Sequence, residues 1–315
     1  MRRNYFEYIR QSKTINAVVS KLKKTSFLGF DGVSIYDVGK YYKKAVWEGT
    51  LATRSASLAF NFFLAIFPTI LFLLSLIPYI PLEGLYDKLI QNIVEVFPKG
   101  VNEPIINTIK DLVDHEREGF LVFNILLALY FSSNGVVNMM TQFNNTNLFQ
   151  EKRVWWKKRL IAIFLVLVLT MLVLTAVLLV TFTKDVIIYF FSEYLTLDLL
   201  NWTYINIVRW IIIVVLFYLA ISSLYYFGPA KRKNWKFFSA GSTTATILVI
   251  LASLGFSYYV NHFSNYNAIY GSIGTIIIIM LYFQLNSFVL LLGFELNASI
   301  RRGRFDMKAL KGNNN

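Results

Sequence analysis

Six long stretches of the chain are apolar and free of charge through their middles. Each is close to the roughly 20 residues that a helix needs to cross a bilayer. Lipid offers no hydrogen-bond partners, so these stretches are predicted to be helices. That holds even where β-branched residues such as those at 276–279 would favour a strand in water. The predicted spans are 56–77, 120–140, 160–182, 210–227, 240–260 and 273–296.

The basic residues are concentrated in alternate segments between these spans. Residues 1–55, 143–159 and 228–239, together with the tail after Asn297, hold 25 of the 31 Lys and Arg. The other three connecting segments hold six, and they also hold 11 of the 18 acids. Because loops rich in Lys and Arg stay in the cytoplasm, both termini are predicted to be cytoplasmic, with three loops outside.

Composition agrees with a membrane protein. The chain is 56% hydrophobic and 16% charged, whereas soluble domains average about 25% charged. It has no cysteine, which excludes disulfides and thiolate metal sites. We predict an all-α integral membrane fold with N-in/C-in topology: a cytoplasmic N-terminal segment (1–53), a six-helix transmembrane domain (54–300) and a basic cytoplasmic tail (301–315).

Two regions outside the spans show helical periodicity. Residues 32–50 carry apolar positions at helical spacing with interleaved lysines, which predicts an amphipathic helix in the inner interface, leading into the first span. In the first outer loop, 85–96 and 105–113 follow the same spacing beside prolines. They are predicted to be short helices that form an acidic cap on the outer face.

The net charge of +13 raises the choice between nucleic acid and lipid as a partner. The basic residues follow the topology, and no soluble domain carries the stacking aromatics that a nucleic-acid surface needs. Anionic headgroups of the cytoplasmic leaflet are therefore the expected partners. The sequence leaves open a protein partner or a second copy of the chain. The predicted lipid-binding rim is Lys43, Lys44, Lys157, Lys158, Arg159, Lys231, Arg232 and Lys233.

Polar residues recur along the first, second and sixth spans, mostly at helical spacing. Such residues turn away from lipid and often mark a transport route. One interpretation is a polar cavity between these three spans, open toward the cytoplasm; the other is hydrogen bonding that only holds helices together. Unpaired charges are costly in low dielectric, so Arg54 and Glu295 are predicted to face each other or to share a polar network. The set is Arg54, Ser57, Asn61, Asn134, Asn138, Gln142, Gln284 and Glu295.

In the fifth span, Gly241 and Ala245 are small enough to permit close backbone approach, so tight helix packing is predicted there.

Several short sequence blocks occur in a fixed order along the chain. They are 56–60 (ASLAF) leading to Phe67 and Pro68, 131–135 (FSSNG) through 143–144, 156–160 (WKKRL), 209–210, 225–229, Trp235 with Gly241, 270–274 (YGSIG) and 293–298 (GFELNA). Together they resemble the YihY/BrkB family of bacterial inner-membrane proteins. The likeness runs from about Val38 to Arg301 and implies a six-span fold in the inner membrane, without a settled activity. Members have been labelled ribonuclease BN, a label regarded as a misassignment, and a role in envelope lipid handling has been suspected for relatives.

The residues themselves argue against an enzyme. Metal-assisted phosphodiester cleavage needs clustered carboxylates or histidines, but the cytoplasmic acids are scattered, and both His115 and His262 fall in outer segments. No phosphate-binding loop motif occurs, so any transport would be passive, ion-coupled or driven by a partner. No metal or cofactor is expected.

Two functions remain. The first is a transporter or translocation factor for a lipid-like or other envelope substrate, with Glu295 as the only acid embedded in a predicted span and hence the candidate for proton coupling. The alternative is a membrane scaffold that anchors an envelope assembly and moves nothing. The sequence shows no obvious internal repeat of the kind common in secondary transporters.

Overall fold

A computed structural model describes residues 13–27, 29–48, 50–76, 90, 118–144, 153–191, 202–230, 235–263 and 272–312. Within these ranges the chain forms long helices and no strand. The helices are α1 Lys13–Lys24, α2 Ile35–Glu48, α3 Leu51–Leu76, α4 Glu118–Asn144, α5 Trp155–Phe191, α6 Trp202–Phe227, α7 Ala240–Phe263 and α8 Ser272–Gly312.

The six long helices pack as a ring in chain order. Each of α3 to α8 contacts the next one, and α8 closes the ring against α3. Helix α8 also contacts α4 and the lead-in helix α2, which in turn packs on α1. The first and last long helices are therefore direct neighbours, although the whole transmembrane sequence separates them.

One end of this ring gathers the helix ends that flank the basic segments. Asn144 at the end of α4 accepts a hydrogen bond from the backbone N–H of Ala230, which follows α6. Arg153, before α5, donates to the carbonyl of Gly228 at 2.7 Å. We call this the basic end. It contains the start of α3, α5 and α7, the end of α4 and α6, and the C-terminal half of α8.

Two helices at the basic end begin with a serine cap. The hydroxyl of Ser34 accepts the N–H of Asp37 and donates to its carboxylate, which starts α2. The hydroxyl of Ser239 accepts the N–H of Ser242, and the hydroxyl of Ser242 accepts the N–H of Ser239, which starts α7. Each pair satisfies backbone donors that the first turn of a helix leaves without intrahelical partners. The sequence therefore fixes where both helices begin.

Helix α3 continues through Pro68 without a break. The proline ring removes one backbone donor from the helix. Next to it, the hydroxyl of Thr69 donates to the carbonyl of Ala65 at 2.7 Å and lies 3.0 Å from the hydroxyl of Ser132 on α4. Such side-chain contacts allow membrane helices to carry proline.

The core of the basic end is aromatic. The ring of Phe143 stacks on that of Phe294 with centroids 4.0 Å apart, and Trp235 stacks on Phe294 at 5.3 Å. Tyr225 meets Phe143 and Phe294 edge-on, and its hydroxyl donates to the backbone carbonyl of Leu290. Buried aromatic rings with edge-on and offset contacts dominate core energetics. Helices α4, α6 and α8 thus share one packed centre.

The outward surface is apolar, as expected for contact with lipid. Large hydrophobic side chains such as Leu126, Met171 and Leu254 are more than half exposed. Five of the described helices are long and apolar enough to cross a membrane, and the described apolar part of α3 covers Leu51–Ile66. The chain is a multi-pass membrane protein.

Two parts of the fold differ from the sequence prediction or lie beyond it. Helix α8 runs on from the predicted end of the sixth span, at 296, to Gly312, because its continuation packs on the N-terminal segment. Val33 and Ile300 belong to one buried apolar cluster, and Gly303 leaves space for the Val33 side chain. The predicted cap helices 85–96 and 105–113 lie outside the described residues.

Candidate functional site

An ion pair is buried where α3, α4 and α8 meet at the basic end. Arg54 on α3 donates to the carboxylate of Glu295 on α8, with N and O 2.7 Å apart. Arg54 is 7% exposed and Glu295 is 3% exposed. A second guanidinium nitrogen of Arg54 donates to the backbone carbonyl of Gln142 on α4. The predicted pairing of Arg54 with Glu295 is confirmed, and α4 completes it.

A chain of amide hydrogen bonds extends this pair toward the middle of the bundle. The side chain of Gln142 donates to the side-chain oxygen of Asn138 at 3.0 Å. Asn138 in turn donates to the hydroxyl and the backbone carbonyl of Ser57, both at 3.0 Å. Asn61, one turn further on α3, donates to the same carbonyl. We call the set Arg54, Ser57, Asn138, Gln142 and Glu295 the polar network.

Asn134 and Gln284 are not part of the polar network. Asn134 accepts a hydrogen bond from Arg159 on α5. The amide residues along α4 therefore contact two different helices, because Asn138 bonds to α3. Gln284 has an exposed side chain. Spacing places it on the same side of α8 as Glu295, but about 16 Å farther along the axis, beyond the level at which Arg54 reaches α8. The predicted grouping of Gln284 with Glu295 therefore does not occur.

The network is closed in this structure. Arg54, Gln142 and Glu295 are all buried, so these three side chains do not line a space that water can enter from the basic end. The lead-in helix α2 contributes to this closure, because Tyr42 is half-buried beside Glu295. Burial raises the pKa of the Tyr42 phenol above its ordinary value, and the negative charge of Glu295 adds to the shift.

A second junction, between α7 and α8, was only partly predicted. The side-chain oxygen of Asn297 accepts the backbone N–H of Gly241 at 2.8 Å, and its amide donates to Ser239. A β-carbon on Gly293 would lie 2.6 Å from that of Ala245. The predicted close approach at Gly241 and Ala245 is confirmed. Asn297 was visible in the sequence as a polar residue near Glu295, but its partner was not.

The predicted lipid-binding rim is only partly described. Lys43, Lys44 and Lys157 are exposed at the basic end, and Lys157 lies over the ring of Trp156. Lys158 donates to Thr141, and Arg159 is occupied by Asn134, so these two also tie α5 to α4. Residues 231–234, which include Lys231, Arg232 and Lys233, lie outside the described residues. Lipid contact at the rim remains a prediction.

In the described part of the chain, no three His, Asp or Glu side chains come together as a metal site would require. The buried carboxylate of Glu295 is matched by one guanidinium, that of Arg54. The arrangement shields two paired charges from water, and both charges would become exposed to water if the helices separated.

Comparison with known proteins places these features in a family. The family model described as virulence factor BrkB matches residues 43–314, which covers every member of the polar network. The chain belongs to the BrkB family. The resemblance seen in the sequence blocks is thereby confirmed, and the BrkB family is not a known enzyme family.

Several curated proteins share this similarity. The ribonuclease-like protein YfkH of Bacillus subtilis (strain 168) is 32% identical over 252 residues, covering 79% of this BrkB-family chain and 90% of YfkH. A UPF0761 membrane protein of Tolumonas auensis is 38% identical over 66 residues, 21% of this chain and 22% of that protein. UPF0761 membrane protein PSHAa0171 of Pseudoalteromonas translucida is 39% identical over 72 residues, 23% and 24% of the two chains. No solved structure matches the chain.

Proposed function

We propose that this protein is a transporter or translocation factor for a lipid-like or other envelope substrate in the bacterial inner membrane. The observation that carries the proposal is the buried Arg54–Glu295 pair with its amide chain across three helices. Ionisable residues at membrane depth are costly and mark routes for ions or substrates.

The free-energy cost of burying the ion pair favours this proposal over a role that only holds helices together. Neutral amides such as Asn138 and Gln142 suffice to hydrogen-bond membrane helices together. Burying an arginine and a glutamate adds a desolvation penalty that their mutual attraction often fails to recover. A feature that weakens stability and lies between the first, second and last long helices is better explained by a function that uses it.

Movement of a substrate requires the basic end to open. In the closed structure, Arg54, Gln142 and Glu295 are buried between α3, α4 and α8. Protonation of Glu295 would remove its negative charge and weaken its bond to Arg54, which would let the helices part. Glu295 is therefore proposed as the proton-sensitive group of the transport cycle.

The proposal includes six spans with both termini in the cytoplasm. It is supported by the basic segments and by the way their flanking helix ends meet at one end of the ring. Alkaline phosphatase fused after Lys157 or Lys236 should be inactive, and green fluorescent protein fused there should fluoresce. An active phosphatase at either position would reverse the orientation.

Transport is tested with the full chain reconstituted into vesicles that contain a fluorescent phosphatidylglycerol. Wild-type protein should speed movement between leaflets over empty vesicles, and Glu295→Gln and Asn138→Leu should abolish that gain. The glutamine cannot exchange a proton, so this variant cannot close the network again and complete a transport cycle. Gln284→Leu is the matched control, because Gln284 is an exposed polar residue of α8 outside the network. Full movement in both network variants would remove these residues from the mechanism.

The alternative function is a membrane scaffold for an envelope assembly. The closed polar network favours it, since a closed bundle can serve as an anchor without cycling. A scaffold predicts no gain in lipid movement for the wild type, and cross-linking in cells should return a stable envelope partner. In that case, substitutions in the network should change only the stability of the bundle.

A further inference from the structure

A second polar site lies at the basic end, separate from the polar network. It is a cavity of about 150 Å³ between the loop that precedes α2, the segment that precedes α7 and the C-terminal part of α8. As little as about 10–15 Å³ of such space already holds a water molecule, so the cavity has room for a tetrahedral oxyanion. Its polar lining includes Asp31, Lys236, Arg301, Arg304 and Lys308.

The charge of this cavity is strongly positive. Four cationic side chains line it, and Asp31 is the one acid among the described lining residues. Asp31 bonds Lys236 at 2.5 Å and Arg304 at 3.3 Å, so a single carboxylate is shared between two cations. A surplus of three positive charges around a concave space favours an anion.

Arg301 is held in place by aromatic rings. Its guanidinium lies 5.6 Å from the ring centre of Trp235 and 5.5 Å from that of Phe305. Trp235 is itself stacked on Phe294 in the core, so this clamp is anchored to the bundle. Stacking engages the faces of a guanidinium, whereas an oxyanion binds at its edge, and the two are compatible. An arginine fixed in this way loses little freedom when an anion binds.

Part of the cavity lining is apolar and lies beside a span. Phe238 is 62% exposed and Phe305 is 52% exposed. The cavity borders Ser239, and α7 enters its apolar span at Ala240. A phosphate in the cavity would therefore sit at the membrane boundary, with exposed aromatic rings available to an attached apolar chain.

We propose that this cavity binds a phosphate group, carried either by an anionic phospholipid headgroup or by a small soluble phosphate ester. Arg301, which the two aromatic rings hold in place, and Lys308 are its main ligands. The phosphate oxygens would accept charge-assisted hydrogen bonds from both cations. The site concerns binding alone, so it holds whether or not the protein moves a substrate.

The test uses the full chain purified in detergent and titrated with phosphatidylglycerol, followed by native mass spectrometry. Arg301→Gln and Lys308→Gln should each weaken binding by about tenfold, the loss expected for one charge-assisted contact. Arg302→Gln is the matched control: it removes the same charge from the same helix, but Arg302 lies over Tyr41, outside the cavity. It should bind like the wild type.

Competition with glycerol 3-phosphate shows whether the bound phosphate group belongs to a phospholipid or can also belong to a soluble ester. If it displaces phosphatidylglycerol from the wild type, the phosphate alone is recognised and a soluble ester also fits. If it does not, while the lipid still depends on Arg301 and Lys308, the ligand is a phospholipid. Lys308 is exposed, so Lys308→Gln should fold normally even if Arg301→Gln does not. Equal lipid binding by wild type, Lys308→Gln and Arg302→Gln overturns the proposal.

Discussion

Gly241 and Gly293 face each other where the backbones of α7 and α8 touch. A β-carbon on Gly241 would overlap the carbonyl oxygen of Gly293, and one on Gly293 would lie 2.8 Å from the carbonyl oxygen of Gly241. Asn297 reaches across the same point to hydrogen-bond the N–H of Gly241. Small residues give membrane helices this proximity, and here they place the start of α7 against the half of α8 that carries Glu295.

Replacing Gly241 with alanine should destabilise the protein. The added methyl group cannot be accommodated without separating the two backbones, and overpacking of this kind costs about 1–3 kcal/mol. The melting temperature in detergent should fall by several degrees. Gly255→Ala is the control on the same helix, because no atom of the described residues lies within 4 Å of the added carbon. Equal melting temperatures for the two variants would contradict the close contact.

The Arg54–Glu295 pair should behave non-additively. Removing one partner leaves a buried charge uncompensated, and such changes cost about 3–5 kcal/mol. Arg54→Met and Glu295→Gln should each lower the melting temperature, whereas the double variant should regain much of the loss. Lys157→Gln, which removes an exposed charge at the same end, should have little effect. Additive losses in the double variant would show that the two side chains do not depend on each other.

Substitutions in the aromatic centre should lower the free energy of unfolding, and the loss should be larger for side chains that make more contacts. Phe294 stacks on Phe143 and Trp235, so Phe294→Ala opens a cavity and should cost about 3–5 kcal/mol. Tyr225→Phe removes only the hydrogen bond to Leu290, worth about 1 kcal/mol. Phe123→Ala, on the exposed face of α4, should change little. Thermal unfolding in detergent ranks the three, and a different order would place the core elsewhere.

Much of the polar network follows from the sequence, and the reason is energetic. A charge inside a bilayer needs a partner, and Arg54 and Glu295 end up at the same end of the bundle once the topology is set. Periodicity also aligns Asn138 with Gln142 on one face of α4. These two statements require no knowledge of which helices are neighbours.

Other features depend on how each helix is rotated, which spacing does not determine. Asn134 lies in the same stripe as Asn138 but meets Arg159 from α5, and Gln284 is left exposed. The phosphate cavity was missed because it is built from three separate segments, and its aromatic clamp on Arg301 gives no periodic signal. A tryptophan just before α7 and an arginine after the sixth span were the only hints.

Asp31 should fasten the N-terminal segment to the bundle. Asp31 has a positive φ of 53°, and the nearby Gly29 and Gly32 also have positive φ. The resulting turn directs the Asp31 carboxylate toward Lys236 and Arg304. Asp31→Asn should loosen this turn and speed proteolytic cleavage near residues 25–34, while the melting temperature changes little because the bridges are partly exposed.

Lys40→Gln provides the comparison for that experiment, since it removes an exposed charge from α2 without touching Lys236 or Arg304. With chymotrypsin, which does not cut at lysine, its cleavage rate should match the wild type. If Asp31→Asn is cut no faster than Lys40→Gln, the segment is held instead by the apolar cluster that contains Val33 and Ile300.

The contact of α3 with α8 has a consequence for biogenesis. The ribosome delivers α3 to the membrane before α8, so Arg54 meets its counter-charge only after the helices between them have been made. A nascent chain that stalls before Glu295 lacks the carboxylate that neutralises the Arg54 guanidinium. The ring can therefore close around a neutral pair only once α8 has been synthesised.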